Sequence, residues 1–162
     1  MEEKYWLIGL GNPGAEYQGT RHNLGHWVIQ QLNTFSDRPQ SWRLYQTQSW
    51  MNQSGMEVKN LLKEKNFNLQ RLVVIHDEAD LALGDFRIHF GRGSAGHRGV
   101  ESIIRELGTK NFWRWRIGIG RPVSVKQGLE NFILSKFSEH ELRVIQSILP
   151  SIVDKFRFIT GK

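Results

Sequence analysis

The chain opens on an apolar, aromatic run from Tyr5 to Leu10 that stops at Gly11-Asn12-Pro13-Gly14, the pattern of a buried strand ending in a tight turn. Leu24, Trp27, Val28 and Leu32 follow at i, i+3, i+4 and i+8 and predict a helix with one face toward a core. Loop chemistry at Ser36-Asp37-Arg38-Pro39 ends that helix near Phe35. Trp42 to Thr47 predicts a short strand, with Trp42 and Leu44 on one face and Arg43 and Tyr45 on the other. Trp50 to Gly55 predicts another strand running into a turn, after which Val58, Leu61 and Leu62 form the stripe of a second helix.

In the second half, Arg71 to Ile75 and Asp85 to Phe90 predict strands. Val100, Ile103, Ile104 and Leu107 predict a helix that Gly108 closes at C′. Trp113 to Gly120 alternates, Trp113 and Trp115 on one side and Arg114 and Arg116 on the other, which predicts a strand with core on one face and basic surface on the other. Ser124 to Gly128 reads as mobile and Leu129 to Leu134 as a short ordered element. Ser138-Glu139-His140-Glu141 is a capping box, with Phe137 and Leu142 placed as a hydrophobic staple. The last helix packs through Leu142, Ile145, Ile148, Leu149, Ile152, Val153 and Phe156, with a kink predicted at Pro150. There is no internal repeat and no linker, so residues 1–162 are expected to form one domain.

A chain of 162 residues buries roughly two thirds of its unfolded surface without disulfides or metals. It has no cysteine, which removes disulfide frameworks, thiol catalysis and cysteine-ligated zinc or iron–sulfur sites. A charged start, Met1-Glu2-Glu3-Lys4, leads directly into the first strand and no long apolar run occurs. Neither a signal peptide nor a membrane span is expected, and the cytoplasm is the expected compartment. Net charge is +6, and the window from Gly84 to Lys126 holds all of it, nine basic residues against three acids. Positive charge so concentrated predicts a polyanionic partner, most often nucleic acid; a solvated basic face is the plain alternative.

Asn12 and His22 fall on the loop between the first strand and the first helix, where polar side chains are held still in front of a substrate. The plainer readings are an Asn that tolerates left-handed geometry and a His22 or Asn23 that caps the helix. Asn52 has a similar placement, with helix N-capping as its alternative. His76-Asp77-Glu78-Ala79-Asp80 gathers three carboxylates in four residues and is expected to face a cleft or solvent. Acidic groups beside an imidazole most often orient it as a general base; an oxygen-ligand metal site is the lesser alternative. Its DEAD string has no phosphate-binding loop ahead of it and is accidental. Gly91 to Gly99 is a glycine-rich loop opening a helix, whose free N–H groups would suit phosphate or an oxyanion, without the spacing of a dinucleotide site.

Taken in order, GLGNPGAEYQGTRHNLG, MNQSG, HDEADL with GRGSAGHRG, and RIGIGRP with FILSKF resemble the bacterial-type peptidyl-tRNA hydrolase family over most of the chain. The resemblance implies a single-domain three-layer α/β/α fold with a mixed, twisted central sheet, shorter than the usual family member. It implies an enzyme of translation and ribosome rescue that hydrolyses the ester of peptidyl-tRNA, works as a monomer, and uses no cofactor and no metal. His22 would be the base that activates water and Asp77 the group that orients it. Asn12 and Asn52 would contact the peptidyl part and polarise the scissile carbonyl, with Tyr17, Met51 and Arg98 also on substrate, and Arg87, Arg92 and Arg116 would meet tRNA phosphates.

An ester is more labile than an amide, so one positioned base with oxyanion donors suffices. No cysteine and no Ser–His elbow is present, so water is the expected nucleophile.

Two departures stand out within the chain. The family usually reads GHNG where this chain has Gly96-His97-Arg98-Gly99, which puts a cation, unable to accept a hydrogen bond, where an amide is usual. Asp37 to Ser41 is too short for the extra hairpin strand common in relatives, which leaves a smaller sheet. Relatives also usually continue past the last helix. The rival expectations are a catalytically impaired relative that binds tRNA or RNA, and an esterase or peptidase for small substrates.

Overall fold

The computed structural model describes residues 3–161, so Met1, Glu2 and Lys162 lie outside the described residues, and with them part of the charged N-terminal lead. In chain order the strands are β1 (Tyr5–Gly9), β2 (Trp42–Gln46), β3 (Leu72–Glu78), β4 (Phe86–Phe90) and β5 (Trp113–Gly118). The helices are α1 (Leu24–Asn33), α2 (Ser54–Lys63), α3 (Arg98–Leu107), α4 (Gly128–Ile133) and α5 (Glu139–Thr160). They form one sheet in the order β2-β1-β3-β5-β4, parallel except for β4, which runs antiparallel to β5 at an edge.

Alternation along the strands divides the apolar residues between two cores. Leu7, Val73, Ile75, Trp115 and Ile117 pack with α1 through Leu24, Val28 and Leu32, and with α5 through Ile145, Leu149, Ile152 and Phe156. On the opposite face Ile8, Leu72 and Val74 meet Val58 and Leu62 of α2 and Val100 and Ile103 of α3. A sheet covered on both faces gives the three-layer α/β/α arrangement. Two glycines set how closely the layers meet. A Cβ on Gly25 would lie 2.3 Å from the Leu10 nitrogen, so the start of α1 rests directly on the end of β1. A Cβ on Gly55 would lie 2.0 Å from the Ser102 carbonyl oxygen, which is how closely α2 crosses α3.

The termini follow local chemistry. Ser138 Oγ accepts the Glu141 N–H while the Glu141 carboxylate accepts the Ser138 N–H, which makes the capping box that starts α5. Gly108 ends α3 at φ 71°, a left-handed cap that glycine adopts without strain.

As expected, the last helix is one continuous element, Glu139–Thr160, with Pro150 inside it on an exposed face. Two expectations are corrected. Trp50 to Gly55 contains no strand: a 3-10 turn, Met51–Gln53, leads into α2. Most consequentially, β5 lies between β3 and β4 and has no basic surface: Arg114 and Arg116 are 1% and 5% exposed. Both arginines sit inside because they have partners: the Arg114 guanidinium donates to the Arg92 carbonyl, and Arg116 pairs with Glu78 at 2.8 Å.

Candidate active site

The carboxyl ends of β1 and β3 are neighbours in the sheet, and ligand sites of open parallel sheets form outside such ends. The loop leaving β1 carries Asn12; a 3-10 turn, Arg21–Asn23, carries His22 into the start of α1; β3 ends on Asp77 and Glu78. With Gly25 pressed on Leu10, the His22 turn is held over the end of β3.

Asn12 is not in the left-handed region, and Asn23 makes no helix-capping bond. The two clasp each other instead. Asn12 N–H donates to Asn23 Oδ1 at 2.9 Å, and Asn23 Nδ2 donates to the Asn12 carbonyl at 3.0 Å. Asn12 Oδ1 accepts the Met51 N–H at 2.8 Å, which ties the β1 loop to the turn before α2. Asn52 caps nothing; it is exposed and lines the same cleft.

Asp77 lines a cleft, as expected, but only 4% of it is exposed, because it lies between two imidazoles. His22 Nδ1 lies 3.0 Å from Oδ2, and His97 Nε2 lies 2.9 Å from Oδ1. His97 Nδ1 accepts the N–H groups of Gly99 and Val100, which places its proton on Nε2, facing Asp77. That cap also occupies the α3 N–H groups that the glycine-rich loop was expected to offer to phosphate. A proton on His22 Nδ1, donated to Asp77, leaves Nε2 as the basic atom. His76 packs against His97 with ring centroids 4.7 Å apart and is fully buried.

These contacts set the charges. Burial disfavours the His22 cation, but the Asp77 charge and hydrogen bond outweigh it and hold His22 above its ordinary pKa; Arg98 acts in the opposite sense. Burial opposes ionisation of Asp77 as well, yet His22 and His97 drive its carboxyl far below the usual range. Burial and then His97 hold His76 well below an ordinary imidazole, so it stays neutral. Among the described residues, His22, Asp77 and His97 also form the one group of donors able to approach a metal together, their atoms within 4.8 Å of one another. Their spacings, 2.9 to 3.2 Å, are those of donor to acceptor.

A cleft of about 750 Å³ opens in front of this pair. Asn12, Tyr17, Met51, Asn52, His97 and Arg98 line it. Leu129, Glu130 and Ile133 of α4 line it too, with Leu134. Every candidate substrate or catalytic residue therefore meets in one cleft. The candidate phosphate ligands do not: Arg87 and Arg92 are exposed outside it, and Arg116 is buried against Glu78 and His89. Arg116 is thus corrected from a surface residue to an internal one. His97 and Trp50, which packs edge-on against Tyr17 at 5.6 Å, were missed by the sequence reading. The signal for His97 was its place one residue before α3, where a side-chain acceptor belongs.

Fold and site together define a hydrolase class: an α/β/α protein with an imidazole–carboxylate pair at the carboxyl ends of its parallel strands, opening on a cleft. The family model for peptidyl-tRNA hydrolase matches residues 6–162. A peptidyl-tRNA hydrolase of Lawsonia intracellularis is 38% identical over 98% of this chain and 88% of its own length. One of Aquifex aeolicus is 40% identical over 91% of this chain and 85% of its own. The crystal structure of peptidyl-tRNA hydrolase from Acinetobacter baumannii superposes with a TM-score of 0.83 at 29% identity, covering 99% of this chain and 92% of that one. The chain belongs to the peptidyl-tRNA hydrolase family.

Proposed function

We propose that this protein hydrolyses the ester linking a peptide to the 3′ ribose of tRNA, releasing peptide and free tRNA, with water activated by His22. The observation that carries the reading is the buried His22–Asp77 pair facing the cleft that Asn12 and Asn52 also line. His22 Nε2 takes a proton from water as the water attacks the ester carbonyl. Asp77 keeps the other ring nitrogen protonated and stabilises the imidazolium that forms. Asn12 Oδ1 is held by the Met51 N–H, so its amide Nδ2 is left to donate to the developing oxyanion, with Asn52 beside it. The imidazolium then protonates the leaving ribose oxygen. A positioned base of this kind contributes about 10² to 10⁴-fold in rate.

The tRNA body would lie on exposed cations next to the cleft, with Arg87 and Arg92 as candidates. The family match supports a tRNA substrate, and a mainly ionic contact makes affinity fall with salt. No described helix is long and apolar enough to cross a membrane; a monomeric enzyme of the cytoplasm is part of the same proposal. A binding-only relative would have no use for a carboxylate buried between two imidazoles, and no observation favours that reading. The test is release of free tRNA from N-acetylaminoacyl-tRNA by the purified protein, with the unblocked aminoacyl-tRNA as the comparison.

A further inference from the structure

The residue preceding His22 makes contacts that the chemistry at His22 does not require. Arg21 has an 11% exposed side chain and a guanidinium bound on four sides. Nη2 forks onto both Glu141 oxygens at 2.9 and 3.0 Å, while Nη1 donates to Ser135 Oγ at 2.5 Å and to the Lys136 carbonyl at 3.1 Å. The cation stacks over the Phe132 ring at 4.2 Å and lies 5.5 Å from the Phe137 ring. The backbone repeats the attachment. Arg21 N–H donates to the Ser135 carbonyl at 3.0 Å, Phe137 N–H donates to the Gly19 carbonyl at 2.9 Å, and Thr20 forms an antiparallel bridge with Lys136.

Phe132 belongs to α4, and Leu129, Glu130 and Ile133 of the same helix line the cleft. Val123 and Val125, in the segment leading into α4, are fully exposed. At the mouth, Glu130 meets Arg98 at 3.8 Å with both side chains about three-quarters exposed, a pair of little energetic weight. The firm hold on this helix is therefore at its far end, through Phe132 and the Arg21 cation.

We infer that Arg21 is a positioning residue that fixes α4 against the His22 turn, and thereby sets how the acyl part of the substrate is held beside the catalytic imidazole. This rests on the ester-hydrolase reading of the cleft. Leu129, Ile133 and Leu134 present apolar surface, so the side chain nearest the ester is the group whose fit depends on Arg21. A large apolar residue uses that surface, and glycine does not.

Two variants separate this role from folding. Glu141→Gln keeps the capping box, which accepts either residue, and loses the charged fork. Arg21→Lys keeps the charge and loses the planar fork and stack. Kinetics would be measured on N-acetyl-phenylalanyl and N-acetyl-glycyl esters of one tRNA body, with thermal unfolding alongside. The expected result is a roughly tenfold loss of kcat/KM on the phenylalanyl substrate, through KM, with the glycyl substrate and the acid limb of the pH profile unchanged. Equal losses on both substrates would reduce Arg21 to a structural residue, and no loss on either would overturn the inference outright. A wild-type protein inactive on both substrates would instead overturn the hydrolase reading on which the inference stands.

Discussion

Asn12 Oδ1 accepts the backbone N–H of Met51 at 2.8 Å, so the loop after β1 and the turn before α2 hold one amide in a single orientation. Asn12→Asp keeps the acceptor and replaces the donating Nδ2 with a charged oxygen facing the cleft. Loss of one oxyanion donor costs about 10² to 10³-fold in kcat, with little change in fold. Steady-state kinetics beside a thermal melt checks it; an unaltered kcat would remove Asn12 from the oxyanion site.

Because Asp77 holds His22 above its ordinary value near 6.5, kcat/KM should rise through an acid limb centred above that pH. The same shift makes the protonated pair a stabilising contact present below the unfolded value and lost as pH rises through the folded one. Arg98 lowers the His22 value, so Arg98→Asn should move the limb to higher pH. A limb that stays in place would show that Arg98 and His22 are not coupled.

His97→Asn separates two roles of one side chain. Asparagine is a good N-cap and can receive the Gly99 and Val100 N–H groups, but it is too short to reach Asp77 as the imidazole does. Asp77 then pulls on His22 alone, and the acid limb should rise further while the α3 cap survives. An unchanged pH profile would confine His97 to capping.

Arg116 and Arg92 should differ in kind. Arg116→Ala leaves Glu78 buried without its cation, at a cost of about 3 to 5 kcal/mol of stability. Arg92→Ala should leave the melt unchanged and reduce the salt slope of tRNA binding by about one contact. Chemical denaturation and a salt series of binding measurements distinguish the two.

The elements and the candidate His22–Asp77 pair were legible because periodicity and motif order bear on them directly: Leu24, Val28 and Leu32 marked α1, and Asn12, His22, Asn52 and Asp77 fell on loops or strand ends. What was not legible depended on sheet order. WRWRIG has the same alternation at an edge as in the interior, and only the placement of β5 between β3 and β4 buries Arg114 and Arg116. Likewise the cleft expected beside Asp77 and Glu78 was legible, but the partners that allow their burial, His22, His97 and Arg116, were not, because they are 55, 20 and 38 residues away. Ion pairs across such separations leave no local signal. The Arg21 contacts were hidden for the same reason, since Glu141 lies 120 residues further along.

The central claim is tested most directly by release of N-acetylaminoacyl product from N-acetylaminoacyl-tRNA, wild type beside His22→Ala, with tRNA binding measured in parallel. The account predicts that wild type cleaves and that the variant loses about 10² to 10⁴-fold in kcat while binding tRNA with nearly the same affinity. A variant that cleaves as fast as wild type, or a wild type that binds tRNA and does not cleave it, would contradict the account.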